Sequence, residues 1–544
     1  MALNERFVTD YCAITKLLFL LCLFVSTGTQ AATSWSVQFS SALEKLLRTN
    51  PEHLPELKKP TVVGFYAGNK YKPLWLDADG LLNRADDLLN ILVHADDEGL
   101  KPSDYYLEDI KKYRASTDRK AAVHLELLLS AALYRYSSNV YSGRFNPHDL
   151  GINWHISNKP LDDAKLFSEV SGKTSITALL DKLPPRHFVY RLLKKQLRRY
   201  RDIEQQGGWL PLAEGPVLHV GIQNSQVVQL KQRLAISGDL TNKKSLSLPV
   251  FDDALVEAVK HFQLRQGLVV DGKVGPQTRH SLNIPVRSRI KQIQINMERW
   301  RWMPRNLGKK YLMVNLAGFK LYLLENNSVV MSMPVIIGKA YRSTPSFSGL
   351  LTYMEYNPYW TVPRSIALKD ILPRQIRDPH YLASKSIHVF SGWGEKARQI
   401  DPQTINWRQL NKNYFPYWLR QDPGSKNALG RVKFLFSNPY AIYLHGTPEK
   451  YLFNRRVRTF SSGCIRVKDP VQLAAYLLND GSQQIQEKIL QDIFLASNQS
   501  VKLPVAIPIY LVYWTAWVDQ GGSLNFRHDV YGRDARLQKL FDSK

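Results

Sequence analysis

At 544 residues, the chain is long enough for three or four domains, and its 44% hydrophobic content is that of ordinary soluble globular protein. A formal net charge of +26 implies an anionic partner, but the charge is spread along the chain and no nucleic-acid motif accompanies it. Export, argued next, also argues against nucleic acid and leaves the anionic cell wall and membrane surfaces.

Residues 1–31 read as a secretory signal. Arg6 and Lys16 supply positive charge, Leu17 to Val25 is an unbroken apolar run, and Ser26 to Ala31 ends it with small residues, so cleavage after Ala31 is expected. The run is about half of what a spanning helix requires, so membrane association is expected only if the segment stays uncleaved. Cys22 lies inside the run without small residues just before it and does not read as a lipoprotein site.

Residues 32–212 read as largely helical. An amphipathic segment runs from Ser36 to Leu47. Arg84 to Asp97 places Leu88, Leu89, Leu92 and Val93 on one stripe, with Gly99 and Pro102 as stop signals. Ala121 to Tyr136 is a further helix with Leu125, Leu128, Leu129, Ala132 and Leu133 apolar. Pro184-Pro185 is expected to begin a basic helix whose Arg191, Lys194, Lys195, Arg198 and Arg199 form a solvated face, with a wall-contacting face as the alternative. Gly207-Gly208 and Pro211 to Pro216 read as a linker.

Residues 213–285 suggest three short helices. Val227, Leu230 and Leu234 mark the first, and Leu255, Val259 and Phe262 the second. Asp271 to Thr278 is a glycine turn whose Pro276 is placed to open the third.

From residue 286 onward the unit is expected to be mostly β. Tyr311–Asn315, Lys320–Leu324 and Ser328–Ile337 are strand candidates around Gly318 and an Asn326-Asn327 turn. Val432–Phe436 resumes strand character, and Ile507 to Trp517 is expected to return to the same sheet. Between them lies a polar, proline-rich insertion, about 366–430, too long for a plain loop and readable as a lid. Its aromatics Trp360, Trp393, Trp407 and Trp418 are candidates for packing or substrate contact.

Only three cysteines occur, and two of them, Cys12 and Cys22, fall in the segment expected to be removed. An unpaired thiol in an exported chain is a candidate reactive group. That thiol, Cys464, sits in Phe460-Ser-Ser-Gly-Cys-Ile-Arg-Val467, with His445 upstream in Ala441-Ile-Tyr-Leu-His-Gly-Thr447. A nearby imidazole can take the thiol proton, and backbone N–H groups around Gly463 and Cys464 can hold a developing oxyanion. A zinc site would need three or four ligands, and no Cys-x-x-Cys or His-x-x-x-His pairing is present, so neither metal nor cofactor is expected.

These residues resemble the L,D-transpeptidases, YkuD-type enzymes that remodel bacterial cell wall. Their pattern is a His, then 14–17 residues, then Ser or Thr, His, Gly, Cys, an apolar residue, and Asn or Arg. Here fifteen residues separate His445 from Ser461-Ser462-Gly463-Cys464-Ile465-Arg466, and Ser462 replaces the usual second His. The Ser-Ser-Gly-Cys form looks like the large multidomain Gram-negative branch. The glycine turn with Arg233-Leu234 and Phe262-Gln263 resembles a three-helix peptidoglycan-binding domain.

The resemblance implies a multidomain α+β chain. It comprises a helical scaffold domain (32–212), a three-helix peptidoglycan-binding domain (213–285) and a mostly β catalytic domain (286–544) with the capping insertion. It further implies a periplasmic enzyme in which Cys464 is the nucleophile and His445 the general base and acid. Ser461, Ser462 and Gly463 would shape the oxyanion site, and Tyr443, on the same strand face as His445, would line the cleft. Arg466 could hold a substrate carboxylate or make a structural ion pair. A backbone carbonyl is expected to orient the His.

The implied reaction joins a tetrapeptide donor stem to an acceptor stem as a 3–3 cross-link, with other wall-synthesis proteins as possible partners. The same acyl-enzyme could instead serve lipoprotein attachment, hydrolysis or D-amino-acid exchange. A non-catalytic wall-binding scaffold is the alternative of a different class. Papain-like peptidases place the Cys before the His, the reverse of the order here.

Overall fold

The computed structural model describes residues 35–49, 54–116, 118–172, 174–242, 246–392, 394–479, 481–495 and 498–542. The expected signal segment and Trp393 lie outside the described residues. Two compact units are present. The first takes the described residues up to Arg144 with Asn158–Arg186 and Trp300–Trp302. The second takes Phe145–Ser157, His187–Arg299 and the described residues from Met303 onward. No described helix is long and apolar enough to cross a membrane.

The first unit is helical and centred on Arg119–Ser142, whose Leu125, Leu128, Leu129, Ala132 and Leu133 are buried. Deepest among its buried carboxylates is Glu126. Glu126 accepts from the Tyr66 hydroxyl at 2.7 Å and from the Leu74 and Trp75 amides at 2.6 and 3.0 Å. Burial pushes its pKa up to about 7, and these donors pull the other way. The helix expected from Arg84 ends at Val93, and Gly99 closes the following 3-10 turn at φ +73°. Leu88 and Leu92 are buried but Val93 is exposed, because the stripe drifts off the core face within the last turn.

In the second unit the basic helix starts at Phe188 and not at Pro184-Pro185. The chain stays extended through His187 (φ −60°, ψ 135°), whose ring bonds the Pro304 carbonyl at 3.0 Å. Three helices follow, Ser225–Ser237, Asp253–Gln266 and Pro276–Leu282, around Val227, Leu230, Leu234, Leu255, Val259 and Phe262. Gln263 explains the glycine turn. Its amide donates to Asp271 Oδ1 and the Lys273 carbonyl and accepts from the Asp271 and Gly272 amides. Arg233 is likewise structural, donating to the Leu282 carbonyl at 3.0 Å with its guanidinium 3.7 Å from the Trp209 ring centroid.

The helix Val286–Arg301 buries an apolar stripe, Ile290, Ile293, Met297 and Trp300, and beside it the polar side chains Arg289, Asn296, Glu298 and Arg299. Asn296 exchanges hydrogen bonds with Thr515, and Arg299 pairs with Asp534 at 2.6 Å. Each needs a partner more than two hundred residues away, a pairing that no local period records.

The β unit contains nine strands: β1 (Lys310–Asn315), β2 (Lys320–Glu325), β3 (Ser328–Gly338), β4 (Ser348–Tyr356), β5 (Val432–Phe436), β6 (Leu444–His445), β7 (Thr459–Ser461), β8 (Ile465–Val467) and β9 (Gln499–Val512). The sheet order is β7-β3-β8-β6-β5-β4-β9-β1-β2, and β2 pairs back onto β3, so the sheet closes on itself. The turn between β2 and β3 has Asn326 and Asn327 at φ +49° and +67°, as a two-residue hairpin requires. Met354, Phe434, Leu444 and Ile465 lie in mutual register and face the core.

The run Ile507–Trp517 does not stay in this sheet to its end. β9 stops at Val512, because the next amides are taken by side chains: Trp514 by Asn315 and Thr515 by Asn296. Ala516–Val518 instead pairs with Leu524–Phe526 in a separate hairpin.

The insertion after β4 is a folded subdomain. Trp360–Thr361, Ile387–Ser391, Arg398–Ile400 and Tyr417–Gln421 form its own four-stranded sheet, and Leu382, Val389, Trp407 and Leu419 are among its core. Trp407 is buried there and Trp418 stacks on Phe390 at 4.5 Å, so both serve packing.

Candidate active site

Cys464 lies at the turn between β7 and β8, and three layers of hydrogen bonds fix that turn. Ser461 is buried, its hydroxyl donating to the Cys464 carbonyl at 2.5 Å and accepting from the Gly463 amide at 3.2 Å. Thr344 donates to the Gly463 carbonyl at 2.7 Å and accepts from the Gly338 amide at 3.0 Å. Behind it, Arg533 donates to the Thr344 carbonyl at 2.7 Å, and the Tyr531 hydroxyl donates to the Gly338 carbonyl at 2.6 Å. Gly463 has φ +127°, a conformation closed to residues with a Cβ, which is why a glycine precedes the thiol.

This bracing corrects one expectation. The Gly463 amide is occupied by Ser461, so it does not point to an oxyanion. The Cys464 amide has no hydrogen-bond partner among the described residues and is the donor left at the thiol. Ser462 is exposed and accepts from Arg342 at 2.7 Å, and Arg342 in turn pairs with Asp370 of the insertion.

His445 is positioned by register. Glu355 pairs with Lys433, Lys433 with His445, and His445 with Arg466, so these four side chains cross one face of the sheet in a row. Tyr443 and Cys464 occupy the same face one step along β6 and β8. The Tyr443 and His445 ring centroids are 5.6 Å apart, and the Tyr443 hydroxyl neighbours both the Cys464 sulfur and Trp360. The sulfur also lies 3.7 Å from the Ala441 carbonyl. Lys433 sits 4.9 Å over the Tyr443 ring and 3.0 Å from Glu355. Arg466 is tied to Glu449, so of its two expected roles the ion pair is the one present.

The ring of His445 is buried, and its Nδ1 lies 2.6 Å from the Gly446 carbonyl. A carbonyl can only accept, so Nδ1 carries the hydrogen and Nε2 keeps a free lone pair. Burial first, then Arg466 and Lys433, hold the imidazole pKa down to about 3, against the opposing pull of the Gly446 and Leu429 carbonyls. Burial also pushes the Cys464 thiol above its ordinary value, with Tyr443, Lys433 and Arg466 pulling it down. Burial and the neighbouring sulfur raise the Tyr443 phenol well above its usual range. The resting site is therefore uncharged at its centre, with a thiol and a neutral imidazole flanked by Lys433 and Arg466, each paired with a glutamate.

Several contributors carried no sequence signal. Arg342, Thr344, Tyr531 and Arg533 come from distant segments without a motif, and Gly430 acts only through the backbone. Gly430 has φ +66°, and a Cβ there would sit 2.6 Å from the Thr447 amide nitrogen and 2.7 Å from the Gly446 carbonyl carbon. Gly430→Ala is expected to push that carbonyl off His445 and slow acylation of Cys464 roughly 10- to 100-fold, read by mass spectrometry over time. Among the described residues no group of three or more His, Cys, Asp or Glu side chains is placed to hold a metal ion.

Comparison with known proteins identifies three segments. The "Scaffold domain" model matches residues 60–197, the "Putative peptidoglycan binding domain" model residues 223–282, and the "L,D-transpeptidase catalytic domain" model, YkuD, residues 309–498. Residues 309–498 are a YkuD L,D-transpeptidase catalytic domain. The YkuD segment therefore contains the whole row from Glu355 to Arg466, the thiol and the insertion.

A "Putative L,D-transpeptidase" of Haemophilus influenzae is 30% identical over 318 residues, covering 58% of this chain and 57% of that relative, so the chain spans less than two thirds of it. Solved structures titled as L,D-transpeptidases include one from Mycobacterium smegmatis (11% identity, 38% of this chain and 58% of that one, TM-score 0.17). Another comes from Stackebrandtia nassauensis (13% identity, 56% and 97%, TM-score 0.20). TM-scores this low add nothing to the YkuD assignment.

Proposed function

We propose that this protein is a cysteine-dependent L,D-transpeptidase that forms 3–3 cross-links in peptidoglycan. The observation that carries the reading is the shared face of β6 and β8, where an oriented neutral imidazole accompanies a chain-fixed thiol. In the donor step Cys464 Sγ attacks the carbonyl between the L-centre of diaminopimelate and the terminal D-Ala of a tetrapeptide stem. His445 Nε2 takes the thiol proton, and the Cys464 amide holds the tetrahedral oxyanion. Collapse expels D-Ala as its amine, which receives the proton from His445, and leaves a thioester. The side-chain amine of an acceptor diaminopimelate then attacks the thioester, gives its proton to His445, and releases the cross-linked product and the thiol. The folded insertion, which supplies Trp360 to Tyr443 and Asp370 to Arg342, is suited to keeping water from the thioester.

We further propose export with cleavage after Ala31 into a periplasm, and a modular order of scaffold (32–212), wall-binding unit (213–285) and catalytic unit (286–544). Ser461 serves to hold the turn, and Tyr443 to contact the sulfur.

The test is intact mass after incubation with a disaccharide-tetrapeptide. A thioester-sized gain is expected for the unaltered protein and none for Cys464→Ala, with a dimeric muropeptide in the supernatant only in the first case. An adduct without the dimer would redirect the acyl group to another acceptor. No adduct from folded protein that still binds wall would replace the enzyme reading with the scaffold.

A further inference from the structure

A cavity of about 910 Å³ opens in the second unit away from the thiol, and neither Cys464 nor any other residue of its row lines it. Its walls are the helix pair ending at Gln266 and starting at Pro276, the turn Ala317–Phe319, and the segments 454–458 and 526–530. Five guanidiniums line it: Arg289, Arg455, Arg456, Arg458 and Arg527.

Arg289 is buried, Arg458 and Arg527 are half-buried, and none of the three pairs with a carboxylate among the described residues. Arg458 donates only to the Val335, Phe453, Arg455 and Phe319 carbonyls. Arg527 donates to the Arg265 and Phe526 carbonyls, and Arg289 to the side chains of Gln266, Gln292 and Ser281. Burial lowers all three pKa values, Arg289 to about 9 and Arg527 to about 10. Arg455 and Arg456 are exposed, and among the described residues their guanidiniums have no partner.

His280 and His528 add no negative charge. The one carboxylate in the wall, Asp529, is consumed by the Tyr513 hydroxyl and by the amides of Arg533, Asp534 and Ala535. A concentration of cations without counter-ions, partly desolvated, is costly to fold and is matched by oxyanions from outside. Leu264 and Val269, both exposed on the same rim, add apolar surface beside the charge.

We propose that this cleft binds an acidic peptide through its carboxylates, specifically a peptide stem of a peptidoglycan strand, at a second site separate from the Cys464 thiol. This rests on the wall-enzyme reading for the identity of the peptide, and on the cleft alone for its charge. The two exposed arginines are the entry contacts, and the other three, less exposed, set the field.

The test compares the intact chain with Arg455→Ser/Arg456→Ser in co-sedimentation with purified peptidoglycan sacculi at moderate salt. Binding is expected to weaken about tenfold, while Cys464 acylation by soluble disaccharide-tetrapeptide keeps its rate. Arg191→Ser/Lys195→Ser, which removes the same charge from the solvated helix, is expected to bind as the unaltered chain does, and sacculi with amidated carboxyls are expected to bind weakly. Unchanged binding by the arginine variant, equal loss in the helix control, or equal binding to amidated sacculi overturns the proposal. So does arginine-dependent binding to phosphatidylglycerol vesicles with none to sacculi, which would make the ligand a phosphate-bearing lipid. If no protein forms a thioester, the transpeptidase reading fails while the sedimentation result still decides the cleft.

Discussion

His445→Ala is expected to slow acylation of Cys464 by about a thousandfold while leaving the fold intact, the range for loss of a positioned general base. The thiol sits above its ordinary pKa and the imidazole at about 3, so no thiolate–imidazolium pair is stored in the resting site. Proton transfer must accompany attack, and without Nε2 the thiol keeps its proton. The same charge state predicts the pH profile of the unaltered protein. Acylation is expected to be level between about pH 5 and pH 8, without an inflection near the ordinary imidazole value of about 6.5. Stopped-flow or quenched mass measurements across that range test it, and an acid limb centred near 6.5 would contradict a buried neutral His445. Stability moves with the same group. A folded pKa below the unfolded one means that the unfolded chain binds the proton first, so this contribution is complete above about pH 6.5 and falls as pH drops toward 3. By pH 5 the loss from this histidine is roughly 2 kcal/mol.

Asp239→Ala is expected to destabilise the three-helix region by about 3–5 kcal/mol, the largest stability effect of any single substitution considered. Asp239 is wholly buried. Its carboxylate takes two bonds from Arg265, at 2.6 and 2.5 Å, one from Ser237 at 2.6 Å and one from His261 at 2.8 Å. Burial alone would raise its pKa, yet Arg265 first and then His261 and Ser237 bring it down to about 2. Removing the carboxylate strands a buried guanidinium. The double change Asp239→Leu/Arg265→Met removes both charges and is expected to cost far less than the two single changes together, as urea denaturation would record. Because the folded pKa lies below the unfolded one, the pair's contribution is present above about pH 4 and is lost as pH falls through 2.

The thiol and its histidine were legible because their motif is local: the two short strands β6 and β8 and the turn before Cys464 span little more than twenty residues. The three-helix region was legible for the same reason, its glycine turn being read by one glutamine eight residues earlier. What escaped was set by distant partners. Thr344, Tyr531 and Arg533 hold the turn across more than a hundred residues, and no periodicity records such bonds. The helix Val286–Arg301 was passed over because buried arginines and an asparagine interleave its apolar stripe, and their partners Thr515 and Asp534 lie more than two hundred residues away. In the insertion, Ile387–Ser391 and Tyr417–Gln421 lack strict alternation, and short strands among prolines were outweighed by the polar composition around them. The run after Val512 misled because aromatic and β-branched residues continue where the hydrogen-bond ladder has already stopped.

The place of β9 bears on the order of events in synthesis. It is the last strand of the sheet to be made, yet it lies between β1 and β4, parallel to one and antiparallel to the other. Tyr531 and Arg533, which fix the turn carrying the thiol, are translated later still. A nascent or prematurely terminated chain thus contains the cysteine long before it contains the chemistry. The ring cannot close, nor the sulfur be aimed, until the C-terminal segment is released, and vectorial synthesis itself withholds a positioned thiol–imidazole pair from unfinished molecules.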